Sequence, residues 1–214
     1  MIQIKSFVFS PFQENTFVLY DETKECVIID PGCHEIYEKD ELTGFIEENQ
    51  LKPVLLLNTH CHIDHVFGNK FVSEQYNLLP VIHELDLPTL TQMTPGAAQL
   101  YQLSYEASPL PEEYIEEGDV IEFGNSKLDV LFTPGHAPGH VVFVCHAQQF
   151  VINGDVLFQG SIGRTDFPGC SHEELINSIK TKLFPLGDDY VIYTGHGPAT
   201  NIAFEKANNP FVGE

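Results

Sequence analysis

Positive charge is scarce in this chain. Ten lysines and arginines face 31 aspartates and glutamates, for a formal net charge of −21, and Arg164 is the whole arginine complement. A surface of that sign repels phosphate backbones, so nucleic acid is not an expected partner. Carboxylates that hold divalent ions would be locally neutralised, which lessens the charge without changing its sign. No apolar run approaches the length of a membrane span, so no membrane association is expected. At the N-terminus Ser10, Pro11, Gln13 and Glu14 interrupt the apolar residues and leave no signal-peptide core. Cys26, Cys33, Cys61, Cys145 and Cys170 are odd in number and contain no CxxC pair. They fit reduced thiols of a cytoplasmic protein better than a disulfide framework or a structural zinc site.

What is present is an ordinary globular composition: 214 residues, 43% apolar, with 16 Phe and 8 Tyr. That length suits one domain with a substantial core. The chain is organised around Thr59-His60-Cys61-His62-Ile63-Asp64-His65, which follows the apolar run Val54-Leu55-Leu56-Leu57 and therefore sits at the end of a buried strand. Histidines at i and i+2 in extended or turning backbone can swing onto one ion, whereas a helix brings i and i+4 together. Cys61 alternates with them and is expected to pack away from the site. With Asp64 and His65 the cluster has more donors than one catalytic site with three protein ligands would use, so a second metal is the economical reading.

The rest of the chain reads as two similar halves, about 1–117 and 118–214, of one domain. Strands are expected from Ile2 to Phe9, Thr16 to Tyr20 and Cys26 to Ile29, then an amphipathic helix from about His34 to Gln50 carrying Leu42, Phe45 and Ile46. Val66, Phe67 and Phe71 predict one helix from Asp64 to about Tyr76. Residues 83–117 lose clear periodicity around Pro88, Pro95, Pro109 and Pro111 and read as a loop-and-helix insertion near the site. A second β-rich half follows from Val120. It includes a capping box at Ser171 to Glu174 and a helix face of Leu175, Ile176, Ile179 and Leu183. The order of elements predicts an α/β (α+β) fold of two sheets packed face to face with helices outside.

Three further strand ends carry ligand types beside glycine: Gly135-His136, Gly154-Asp155 and Gly195-His196. Glycine permits close approach of backbone to an ion or substrate. HxHxDH, then His, Asp and His in this order resembles the metallo-β-lactamase superfamily of metal hydrolases. The resemblance covers essentially the whole chain and implies a four-layer αββα sandwich. It also implies that His60, His62 and His136 hold one metal, that Asp64, His65 and His196 hold the other, and that Asp155 bridges them. The two divalent ions are expected to be zinc first, with iron or manganese suited by the same donors.

Within the superfamily, residues 133–140 and the run from Gly154 through Arg164 look most like the glyoxalase II branch, which hydrolyses hydroxyacyl thioesters such as S-lactoylglutathione. That implies a small-molecule thioester substrate attacked by a metal-bridging hydroxide, with Asp64 placed to orient it as a catalytic residue. Arg164 falls where glutathione-binding relatives carry a basic residue, so it is the candidate substrate contact; pairing with Asp166 is the alternative. The accompanying tyrosine is replaced in the run Thr165-Asp166-Phe167-Pro168, and only a short tail follows the last helix. The match is therefore to the short, single-domain members. Persulfide dioxygenases with one iron are the nearest rival, sharing Gly-Arg-Thr-Asp-Phe, and a lactonase on the same dinuclear site is another. Against the dioxygenase stands Gly195-His196-Gly197-Pro198, a form associated with two-metal hydrolases.

Overall fold

The protein is described by a computed structural model whose described residues are 1–213. Strands β1 (Gln3–Phe9), β2 (Glu14–Tyr20), β3 (Glu25–Ile29), β4 (Lys52–Leu57) and β5 (Pro80–Val81) form a sheet in that order. The first three are antiparallel. Helix α1 (Ile36–Glu48) carries the chain back so that β4 runs parallel to β3. Helices α2 (Ile63–Val66) and α3 (Asn69–Tyr76) lead to β5, and α4 (Thr94–Tyr101) lies in the segment between the sheets.

The second sheet uses β6 (Val120–Phe123), β7 (Ser126–Phe132), β8 (Val141–Cys145) and β9 (Phe150–Gly154). After a small hairpin of β10 (Leu157–Phe158) and β11 (Ser161–Ile162), and helix α5 (His172–Ser178), the sheet is completed by β12 (Val191–Thr194) and β13 (Thr200–Asn201), before α6 (Ile202–Asn208). Its order is β13-β12-β9-β8-β7-β6, with β12 parallel to β9.

Strand alternation divides the core into layers. Phe17, Leu19, Val27 and Ile29 from the first sheet meet Val130, Val141, Phe143 and Ile152 from the second in one buried cluster. Their neighbours Val18, Cys26 and Ile28 turn outward onto Leu42 and Ile46 of α1 and Val72 of α3. On the other side Val142, Val144, Val151 and Ile192 turn outward onto Leu175 of α5, Ile179 and Ile202 of α6. Successive side chains of a strand take opposite faces, and here both faces are covered. Full burial of a side chain such as Leu42 or Ile46 contributes about 1.5–3 kcal/mol each. This is the pair of sheets with helices outside expected from the order of elements, and the αββα sandwich that the resemblance implied.

One local expectation needs correction. The helix predicted from Asp64 to Tyr76 is split at Phe67-Gly68. Gly68 N–H donates to Pro31 O at 2.7 Å, and a Cβ at Gly68 would collide with Cys33 Sγ. A tertiary contact breaks an element that periodicity alone continues. At α5 the Ser171 hydroxyl accepts from Glu174 N as a cap does, but past Ser178 the helix widens into a π turn over Ile179–Leu183. The segment after β5 contains a short turn at Glu84–Asp86, a π turn at Thr89–Met93 and α4, in keeping with a loop-and-helix insertion.

Candidate metal centre

Every ligand-type side chain singled out in the sequence lies where a strand hands over to a turn or helix. His60 and His62 occupy the connection after β4. His62 is extended, at φ −64° and ψ 154°, and directly precedes α2, whose first turn carries Asp64 and His65. His136 follows β7, Asp155 follows β9 and His196 follows β12. Parallel β9 and β12 place the last two side by side.

His60, His62 and His136 converge as one group of ligand atoms, and Asp64, His65 and His196 as a second. His62 Nδ1 and His136 Nε2 approach to 2.9 Å, and His196 Nε2 lies 3.0 Å from Asp64 Oδ2. Asp155 stands between the groups. Its Oδ1 is 3.5 Å from His65 Nε2, and its Oδ2 is 3.5 Å from both His136 Nε2 and His196 Nε2.

The outer ring nitrogens fix which way each imidazole faces. His136 Nδ1–H donates to Arg164 O at 2.8 Å, and His196 Nδ1–H donates to Phe12 O at 3.2 Å. His65 Nδ1 faces Asp30 Oδ2 at 3.0 Å. Thr59 gives its hydroxyl proton to Asp30 and so accepts from His60 Nδ1 at 3.1 Å. In all four rings Nε2 is left for the interior, the arrangement by which outer partners orient metal-binding histidines. His60 Nε2, His65 Nε2 and Asp155 Oδ1 are buried with no hydrogen-bond partner in the protein. Buried polar atoms are costly when unpaired, so three orphans aimed into one cluster of nitrogen and carboxylate donors fit divalent metal ions.

The electrostatics divide the cluster. Burial, reinforced by the neighbouring imidazoles, pushes His60 well below the usual histidine range. Burial followed by His136 takes His62 down to about 3. At His65 burial also opposes the charged form, but Asp155, Asp64 and Asp30 overcome it and hold the ring well above its ordinary value. Burial works against ionisation of Asp155, and His65 and then His196 and His136 outweigh it, keeping the carboxyl well below the usual range.

Glycine serves close packing at two positions. A Cβ at Gly195 would collide with Asp155 Oδ1 and lie 2.9 Å from His65 Cε1. Gly154 adopts φ +50° immediately before Asp155, a conformation that costs most residues energy and glycine little.

Several contributing residues were not picked out from the sequence. Asp30, in a segment that reads as a turn, supports one histidine from each group. His140 is fully buried; its Nε2 accepts from Asp155 N at 3.1 Å and its ring stacks on His60 at 4.8 Å. Buried Asp86 accepts from Cys61 N at 2.5 Å, Thr89 Oγ1 at 2.9 Å and Gly139 N at 3.4 Å, tying the His60–His62 turn to the loop after His136. Asn15 of β2 donates to Thr194 O at 2.9 Å and Gly197 O at 2.8 Å, holding both sides of His196. Of the four, only Asn15 carried a signal, a polar residue inside a buried strand; Asp30, Asp86 and His140 lie outside the strands. Cys61, as expected, packs away from the cluster, with Val66, Ile82 and Leu90.

A cavity of about 650 Å³ opens over the cluster, with His62, Asp64, His136, Asp155 and His196 among its lining residues. Arg164 also lines it, but its Nε and Nη2 each donate to Asp166 at 2.7 Å. Of the two expectations for Arg164, the structure forms the pair with Asp166. Tyr101 stands half-exposed on the cavity wall.

A family profile described as the Metallo-beta-lactamase superfamily matches residues 9–196, and the chain belongs to that superfamily. The chain is 40% identical over 203 residues to a hydroxyacylglutathione hydrolase GloC of Haemophilus influenzae, covering 94% of this chain and 93% of that protein. Among solved structures it is similar to TTHA1623 in a di-iron-bound form, with a TM-score of 0.87, 36% identity and coverage of 97% of this chain and 99% of the other. It is also similar to the BLEG-1 B3 metallo-beta-lactamase, with a TM-score of 0.87, 32% identity and coverage of 98% and 99%. Family and relatives together support a metal-dependent hydrolase. Among the described residues no helix is long and apolar enough to cross a membrane.

Proposed function

We propose that this protein is a thioester hydrolase of the glyoxalase II type, acting on hydroxyacyl thioesters such as S-lactoylglutathione with two divalent ions. The observation that carries the reading is the pair of ligand groups joined by Asp155, with inward-facing unpartnered atoms on His60, His65 and Asp155 itself. Against a one-iron dioxygenase, a second group of Asp64, His65 and His196 converges beside the first. The 40% identity to a hydroxyacylglutathione hydrolase supports the thioester.

His60, His62 and His136 would hold one ion, Asp64, His65 and His196 the other, and Asp155 both. Zinc is the first choice, and iron or manganese suits the same donors. When bound, such ions lower the pKa of water toward neutrality and act as Lewis acids toward a carbonyl oxygen. Asp64 lines the cavity with a carboxylate oxygen 3.0 Å from His196 Nε2, where it would accept a hydrogen bond from the attacking water and fix its direction. The hydrogen bonds to Arg164 O, Phe12 O and Asp30 keep the rings from turning as charge builds at the centre. A thiolate is a tolerable leaving group, so the chain need not supply a strong general acid. Arg164 lines the cavity and would contact the thiol's carboxylate once Asp166 releases it. Free thiols at all five cysteines, four of them buried, suit a cytoplasmic setting.

The test is hydrolysis of S-lactoylglutathione by protein loaded with zinc, iron or manganese, read by the released thiol. Turnover abolished in His62→Ala is the expected result. No thioester cleavage with any of the three metals would overturn the assignment.

A further inference from the structure

The floor of the cavity is polar, but its walls are not. Met93, Ala97 and Leu100 come from the π turn and α4, while Phe158 and Ile162 come from the β10–β11 hairpin. Leu100 is 75% exposed on this wall, apolar surface that the protein's own fold leaves uncovered. Among the described residues lining the cavity, Arg164 is the one lysine or arginine. One edge of its guanidinium, Nε and Nη2, is engaged by Asp166, and its Cζ lies 4.1 Å from the Phe167 ring centroid. That cation is neutralised and stacked. A volume of about 650 Å³ lies within the range of cavities that enclose drug-sized apolar ligands.

We propose that these walls bind an uncharged, apolar acyl chain of medium length, so that on one and the same thiol fatty or arylalkyl acyl groups rank above short or anionic acyl groups. This rests on the thioesterase reading and specifies its substrate class. The reaction remains hydrolysis: the carbonyl carbon gains a bond to the oxygen of water, the carbon–sulfur bond breaks, and the proton from water leaves with the thiol. The acyl chain lies along Met93, Leu100, Phe158 and Ile162 while the carbonyl reaches the floor near Asp64 and His196.

The test compares acetyl, butyryl, hexanoyl and succinyl thioesters of one neutral thiol, N-acetylcysteamine, on metal-loaded protein. In parallel, calorimetry measures binding of the matching ketones, in which a methylene replaces sulfur and hydrolysis cannot occur. Each buried methylene is expected to raise kcat/KM, and to tighten ketone binding, by about four-fold until the chain fills the cavity. Succinyl should fall below butyryl. Leu100→Asp, at an exposed position, should flatten the series. Cleavage with no gain along the series, or with succinyl preferred, overturns this inference and leaves the thioesterase standing. Length-dependent ketone binding without cleavage of any thioester supports the apolar cavity and overturns the thioesterase reading. Neither binding nor cleavage overturns both.

Discussion

Asp30 Oδ2 lies 3.0 Å from His65 Nδ1, and the same carboxylate accepts from Thr59 N at 2.7 Å and from the Thr59 hydroxyl, which in turn meets His60 Nδ1. One buried side chain therefore orients a histidine in each of the two ligand groups. Asp30 does so from φ +49°, a conformation that aspartate and asparagine tolerate better than other side chains.

Asp30→Asn keeps that tolerance and removes the charge. It should weaken metal binding by about 10–100-fold, the usual effect of losing an outer partner of a metal-binding histidine. Competition with a chelating indicator measures it. Wild-type affinity in the variant would show that Asp30 does not support the centre.

Gly195→Ala tests the packing behind the site. The added methyl has no room beside Asp155 Oδ1 and His65, so one or both must move. Displacement on the order of an ångström costs about 100-fold in rate, and elemental analysis should show less bound metal. An alanine variant with full metal and full rate would contradict the geometry.

Asp86 makes its contribution through backbone. Asp86→Ala strands the Cys61 and Gly139 N–H groups and the Thr89 hydroxyl. The expected cost is about 2–4 kcal/mol of stability, read by denaturant unfolding. A loss below about 0.5 kcal/mol, the scale of ordinary surface substitutions, would refute the role.

The pH dependence of stability is sharpest to test at Asp21, remote from the metal centre. Asp21 accepts from Thr23 N and Oγ1, Asn125 N and Ser126 Oγ, joining the end of β2 to the β6–β7 turn. Burial alone would raise its pKa, but these hydrogen bonds outweigh burial and bring it down to about 2. The folded value is below the unfolded value of about 3.9. Its contribution is therefore present in full above the unfolded value and lost as pH falls through the folded one. Asp21→Asn should cost about 1–2 kcal/mol near neutrality, and the gap to wild type should close on acidification toward about pH 2. A gap independent of pH would refute it.

The seven ligand-type residues could be read from sequence because each is local: a histidine or aspartate at a strand end, in a recurrent order, usually beside glycine. Two sheets with helices outside were legible in the order of strands and helices, and the four-layer αββα form in the resemblance to the metallo-β-lactamase superfamily. Asp30, Asp86 and His140 were not. Their roles exist only across separations such as Asp30 to Thr59 or Asp86 to Gly139, and nothing in the flanking residues announces them. The break at Gly68 was hidden for the same reason, since apolar periodicity runs through it and the contact with Pro31 and Cys33 alone interrupts the helix. Arg164 was visible as a lone cation, whereas its bidentate pairing with Asp166 depends on how the loop closes.

The most direct measurement is metal content by elemental analysis, on protein purified without chelator and on Asp155→Ala beside it. The account predicts about two ions per chain in the wild type, as a two-metal hydrolytic site requires. It predicts that both are depleted in the variant, because one carboxylate is assigned to both. A wild type holding about one ion, or an Asp155→Ala variant that keeps its full complement, would contradict it.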